Sequence, residues 1–84
     1  MGQTRRQKPK RLARKLLSIR KRLDISQTEM ARLLKLRVAY TSVSGYERGV
    51  REPALQTLLA YARLVGVSTD VLIDDKLSLP WEVQ

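Results

Sequence analysis

The chain has 84 residues, enough for one small domain around a single core and too few for a second. It contains neither cysteine nor histidine, which excludes disulfide staples, zinc fingers, Cys–His nucleophilic pairs and imidazole acid–base chemistry. The formal charge is +9, and all of that excess lies in residues 1–24, where Lys and Arg are opposed by Asp24 alone while residues 25–84 are balanced.

A basic end on a neutral body fits either a polyanionic partner, attracted without regard to sequence and less so as salt rises, or a solvated tail and helix face that keep the chain soluble. No apolar run approaches the roughly 20 residues that span a bilayer. The start Met1-Gly2-Gln3-Thr4-Arg5-Arg6 lacks the apolar core of a signal peptide. Gly2 invites lipidation, but Arg6 stands where Ser or Thr would be wanted. The expected location is cytoplasmic and nucleoid-associated, with no membrane partner.

Residues 1–10 are polar and basic, contain Pro9 and show no apolar period, which predicts a flexible arm. Leu12, Leu16, Ile19 and Leu23 then recur at helical spacing with Arg and Lys opposite, predicting a first helix over about 11–23. Ser26 and Glu29 form a capping-box pattern, so a second helix is expected from Gln27, buried through Met30, Ala31, Leu33 and Leu34. Residues 35–40 carry neither Gly nor Pro and read as a long connection. A third helix is expected from Tyr40 or Thr41 to Arg48, with Val43 and Tyr46 inward and Thr41, Ser42, Ser44 and Gly45 outward, ended by Gly49. Pro53 sets the entry to a fourth helix, about 54–65, with the stripe Leu55, Leu58, Leu59, Ala62 and Val65. Gly66 closes it. Ser68 caps a short fifth helix near 69–75 that returns Val71 and Leu72 to the core. The tail 77–84, with Leu79, Trp81 and Val83, is too apolar to be merely solvated, and docks either on its own domain or on a second chain.

The order from Ser26 to Pro53, a capped helix, a connection and then Ser44-Gly45-Tyr46-Glu47-Arg48-Gly49, reads as a helix-turn-helix. Two short helices at a steep angle can lay the second in the DNA major groove, where each base pair shows a distinct donor and acceptor pattern. Over roughly Leu12 to Asp75 the chain resembles the phage repressor/Cro-like helix-turn-helix family, also called the xenobiotic-response-element type. The resemblance is carried by Arg20, Ser26-Gln27-x-Glu29-x-Ala31, Val43-Ser44-x-Tyr46-Glu47-Arg48-Gly49, Arg51, Pro53, Leu55-x-x-Leu58-Leu59 and Gly66-Val67-Ser68. Between Ala31 and Val43 the chain carries about two residues more than the usual family spacing, which lengthens the turn.

The resemblance implies an all-α, compact five-helix bundle of the lambda-repressor-like type, residues 11–76, between a basic arm and an apolar tail. It implies that Gln27 meets a DNA phosphate, that Tyr40, Thr41, Ser42, Ser44 and Gly45 lie on the face entering the groove, and that Arg48 and Arg51 approach the backbone. Each of Gln27, Arg48 and Arg51 has a plain alternative as a solvated surface residue. Hydroxyls discriminate weakly between bases, so sequence preference falls to Arg37, Tyr40, the arm or DNA shape. Glu47 is expected to pair with Arg20 in a partly buried, structural bridge.

The expected function is sequence-specific binding of double-stranded DNA by a small transcriptional regulator, such as a repressor, acting by occupancy. A homodimer through the fifth helix and tail is the expected arrangement. The alternatives are an antitoxin-like or other protein-interaction module with its own protein partner, and nonspecific nucleic-acid compaction. Enzymatic chemistry is not expected: there is no phosphate loop, nucleophile elbow or metal-ligand set, and no cofactor is called for. Asp70, Asp74 and Asp75 read as a solvated polar stop rather than a site.

Overall fold

The computed structural model describes residues 9–35 and 38–82. Five helices follow in order: α1 (Leu12–Leu23), α2 (Gln27–Leu34), α3 (Tyr40–Arg48), α4 (Leu55–Val65) and α5 (Thr69–Ile73), then a 3₁₀ turn at Pro80–Glu82. There is no strand among the described residues, as the all-α reading expects.

Leu12, Leu16 and Ile19 of α1 are buried, and with Met30, Leu34, Val43, Leu58 and Leu72 they form the common core. Removing each such side chain from water contributes about 1.5–3 kcal/mol. The turn after α2, which has no glycine, is made by Lys35 in the left-handed region at φ 55°. Asp24 does the same after α1 at φ 58°. Gly49 and Gly66 end α3 and α4 at φ 76° and 71°, where a residue without Cβ is unstrained.

Several local expectations are corrected. Ser26 Oγ accepts from the Glu29 amide at 3.1 Å, but the Glu29 carboxylate turns to Arg32 at 3.3 Å instead of returning to the cap, so half of the capping box forms. Ser68 precedes α5 without a side-chain capping bond. Leu33 is exposed. On α4, Leu55 is 79 % exposed and Leu59 is also exposed, whereas Thr57 and Tyr61 are buried. The buried face is therefore Thr57, Leu58, Tyr61 and Ala62, a stripe rotated from the expected one. Both stripes satisfy helical spacing; Tyr61 wins because its ring fits edge-on against Tyr46, 6.5 Å between centroids.

The basic face of α1 is largely engaged by the C-terminal half of the chain. Lys15 is fully buried, and its Nζ donates to the carbonyls of Val71 at 2.7 Å and Asp74 at 3.0 Å, closing the C-terminal end of α5. Burial pushes its ammonium pKa down. Asp75, expected to be a solvated stop, instead caps α1: its carboxylate accepts the backbone N–H of Lys10 at 2.9 Å and of Arg11 at 3.0 Å. Those two bonds hold its pKa below the usual carboxylate range.

The tail docks on its own domain. Leu79 is fully buried, Trp81 Nε1 donates to Ser18 Oγ at 2.9 Å, Arg22 lies 5.2 Å from the Trp81 ring centroid, and Arg14 pairs with Glu82 at 3.5 Å. Val83 lies outside the described residues.

Candidate nucleic-acid interface

Arg20 and Glu47 set the angle between α1 and α3. The guanidinium grips the carboxylate with two parallel bonds, Nε to Oε2 at 2.6 Å and Nη2 to Oε1 at 3.0 Å. Its Nη1 donates to the Ile25 carbonyl at 2.9 Å, tying in the start of α2. The Glu47 side chain is only 4 % exposed, so this is a shielded, bidentate pair of the geometrically specific kind. Its hydrogen bond to Glu47 raises the Arg20 pKa further.

Gln27, the first residue of α2, donates from Nε2 to Glu47 Oε1 at 3.0 Å. Sequence reasoning expects Gln27 at the surface and Glu47 in a structural pair but misses their contact. One amide N–H is held by Glu47, and the amide has a second to offer a ligand. The open N-terminal end of α2 lies beside it, where backbone N–H groups favour an anion.

The outward face of α3 follows from helical geometry. At about 100° per residue, Tyr40, Ser44, Arg48 and Thr41 fall in turn within roughly a 100° arc. Tyr40 (56 % exposed), Thr41 and Arg48 are exposed and Ser44 is half-buried, while Val43, Tyr46 and Gly45 are buried. Ser42 lies outside this arc and is half-buried. Arg48 is laid back along the helix, its Nε donating to Ser44 Oγ at 3.2 Å.

Gly45 does not face outward. Its carbonyl accepts the amides of Val50 at 3.0 Å and Arg51 at 3.2 Å, which fold the segment after α3 back across it. A Cβ at this position would stand 3.0 Å from Arg51 Cβ. Gly45 is thus the close-approach residue that brings Arg51 beside α3, and it reads no base. The arc is bordered on one side by Gln27 through Glu47 and on the other by Arg51 through Gly45. Arg37 and the arm residues Arg5, Arg6 and Lys8 lie outside the described residues.

The helix-turn-helix family model matches residues 16–72, spanning α1 to α5. The chain belongs to the helix-turn-helix family. The HTH-type transcriptional regulator ImmR of Bacillus subtilis (strain 168) is 37 % identical over 62 residues, covering 74 % of this chain and 47 % of ImmR. The chain therefore spans about half the length of that curated relative. Among solved structures, the P22 c2 repressor protein, crystallised in complex with synthetic operator 9T in the presence of Tl+, is similar with a TM-score of 0.68 and 26 % identity, over 76 % of this chain and 94 % of that one. In this helix-turn-helix, α2 and α3 are the two helices of the motif, and the exposed arc belongs to the second.

Among the described residues no helix is long and apolar enough to cross a membrane. No group of three or more Asp or Glu that could hold a metal ion occurs among them either.

Proposed function

We propose that this chain binds double-stranded DNA sequence-specifically, with α3 seated in the major groove, and regulates transcription by occupying its site. The observation that carries the reading is the α3 arc. Its back is fixed by a buried core and a bidentate ion pair, its front is polar and open, and donors stand on both borders. Gln27 and Arg51 take the phosphate-positioning role on either side of the groove. The family membership and the operator complex of the P22 c2 repressor support the same docking.

Nonspecific compaction by a basic first helix is disfavoured by the engagement of Arg11, Arg14, Lys15, Arg20 and Arg22 within the domain. A protein-interaction role through the tail is disfavoured by the packing of Leu79 and Trp81 onto the domain itself.

We further propose that two copies pair about a two-fold axis. With the tail engaged by α1, the surface offered is the exposed Ile73 of α5 together with Leu55, which border a groove floored by Leu12 and Leu58 and flanked by Pro53. A projecting leucine beside an apolar groove on one patch is the self-complementary arrangement an isologous contact needs. Half-sites would then lie about 34 Å apart.

The test is selection from a randomised duplex library at about 150 mM salt, with the bound fraction sequenced after several rounds. An enriched two-fold palindrome supports both proposals. Enrichment of an unpaired half-site removes the dimer, and no enrichment removes the sequence-specific reading.

A further inference from the structure

We propose that Arg48 reads a guanine in each half-site, with Ser44 holding the guanidinium in place for it. The inference rests on the DNA-binding reading above and assigns the base specificity of that same surface.

Arg48 occupies the last turn of α3, where the family resemblance implies a backbone contact. Two observations place it elsewhere. In angle it falls between Ser44 and Thr41, inside the exposed arc rather than on its borders, which are held by Gln27 and Arg51. In direction, helical side chains lean toward the N-terminal end of their helix, and the bond from Nε to Ser44 Oγ at 3.2 Å shows Arg48 lying one turn back, over the outward face.

The donor pattern then selects the base. With Nε engaged by Ser44, the two terminal nitrogens present a planar pair of N–H donors. In the major groove only guanine offers two adjacent acceptors, O6 and N7; adenine sets a donor beside its N7, and cytosine presents a donor. The other arc residues, Tyr40, Thr41 and Ser44, carry hydroxyls that accept or donate and so tolerate several bases. Among the described residues, Arg48 is the one side chain of this face with a fixed, two-donor fork. Ser44 acts as its positioning residue, because a fork free to rotate about four torsions would lose that register.

The experiment compares the whole chain with Arg48→Ala, Arg48→Lys and Ser44→Ala in the randomised-duplex selection, with thermal melts and the salt dependence of binding to the wild-type consensus duplex. The wild type should enrich a guanine at one position of each half-site. Arg48→Ala should lose that preference alone, bind the consensus about ten- to hundred-fold more weakly, melt as the wild type does and keep its salt slope. Arg48→Lys keeps the charge without the fork and should lose the preference too, and Ser44→Ala should blunt it. If Arg48→Ala retains every base preference and weakens all duplexes alike with a smaller salt slope, Arg48 is a backbone contact and the proposal falls, while DNA recognition stands. If Arg48→Lys reads guanine as well as the wild type, the fork is not the reader and the proposal falls. A wild-type chain that enriches no sequence overturns this inference together with the reading beneath it.

Discussion

Gln27 and Arg20 share one oxygen of Glu47: Gln27 Nε2 and Arg20 Nη2 each donate to Oε1 at 3.0 Å. The carboxylate that fixes the angle of α1 against α3 therefore also orients the amide at the start of α2. One acid on the recognition helix sets both the scaffold and a bordering donor.

Removing that acid strands the Arg20 guanidinium, which is 17 % exposed, in a largely shielded site. Glu47→Ala is expected to destabilise the fold by about 3–5 kcal/mol, lowering the melting midpoint by more than about 10 °C in a domain of this size. Thermal and urea denaturation measure it. A variant melting with the wild type would show that the pair contributes nothing net.

Gln27→Ala leaves the Arg20–Glu47 bonds in place but removes one hydrogen bond to the shielded carboxylate, so its stability should fall by about 1.5–3 kcal/mol, less than for Glu47→Ala. Its DNA affinity should fall by a similar factor for consensus and mismatched duplexes alike. That uniform loss, measured by fluorescence anisotropy on both duplexes, marks a phosphate contact as distinct from a base reader.

Tyr61 is fully buried, and its hydroxyl has no hydrogen-bond partner among the described residues. Burial pushes the phenol pKa well above its ordinary value, so it stays protonated through the neutral range. Tyr61→Phe keeps the ring against Tyr46 and removes an unsatisfied polar atom. Stability should hold or rise by about 1–3 kcal/mol, as chemical denaturation will show; a fall would reveal a bond that the hydroxyl makes.

Asp75 has a folded pKa held below the ordinary carboxylate value of about 3.9, by the two amides it caps. A depressed folded pKa means that its contribution is present above the unfolded value and disappears as pH falls through the folded one. Melting midpoints between pH 6 and pH 2 should therefore decline more steeply for the wild type than for Asp75→Asn at the acid end. Parallel curves would assign the acid loss to other carboxylates.

Helix positions were legible because their signals are local. Apolar spacing, the Ser26 cap and the glycines at 49 and 66 act within a turn or two, and the helices fall within two residues of their expected ends. The Arg20–Glu47 pair was legible by resemblance. Gln27's bond to Glu47 was not, since nothing in either local window names the other. The Arg48–Ser44 bond could have been read from the i, i+4 spacing, a signal that the family expectation of a backbone contact obscured.

The sequence by itself determined the class of the molecule: an all-α helix-turn-helix with a polar second helix and neither the cysteine nor the histidine of several chemistries. Tertiary structure decided which of two overlapping stripes α4 buries, because Tyr46 and Tyr61 choose that rotation only when packed together. It turned Lys15 from a surface charge into a cap on the end of α5, 56 and 59 residues away, and Asp75 into a cap on the start of α1, 65 and 64 residues away. It also turned Gly45 inward and Arg48 onto the open face. Periodicity reports which residues share a side of one helix. Which side meets another helix, and which charge finds a partner, depends on groups distant in sequence that only the folded chain brings within hydrogen-bonding reach.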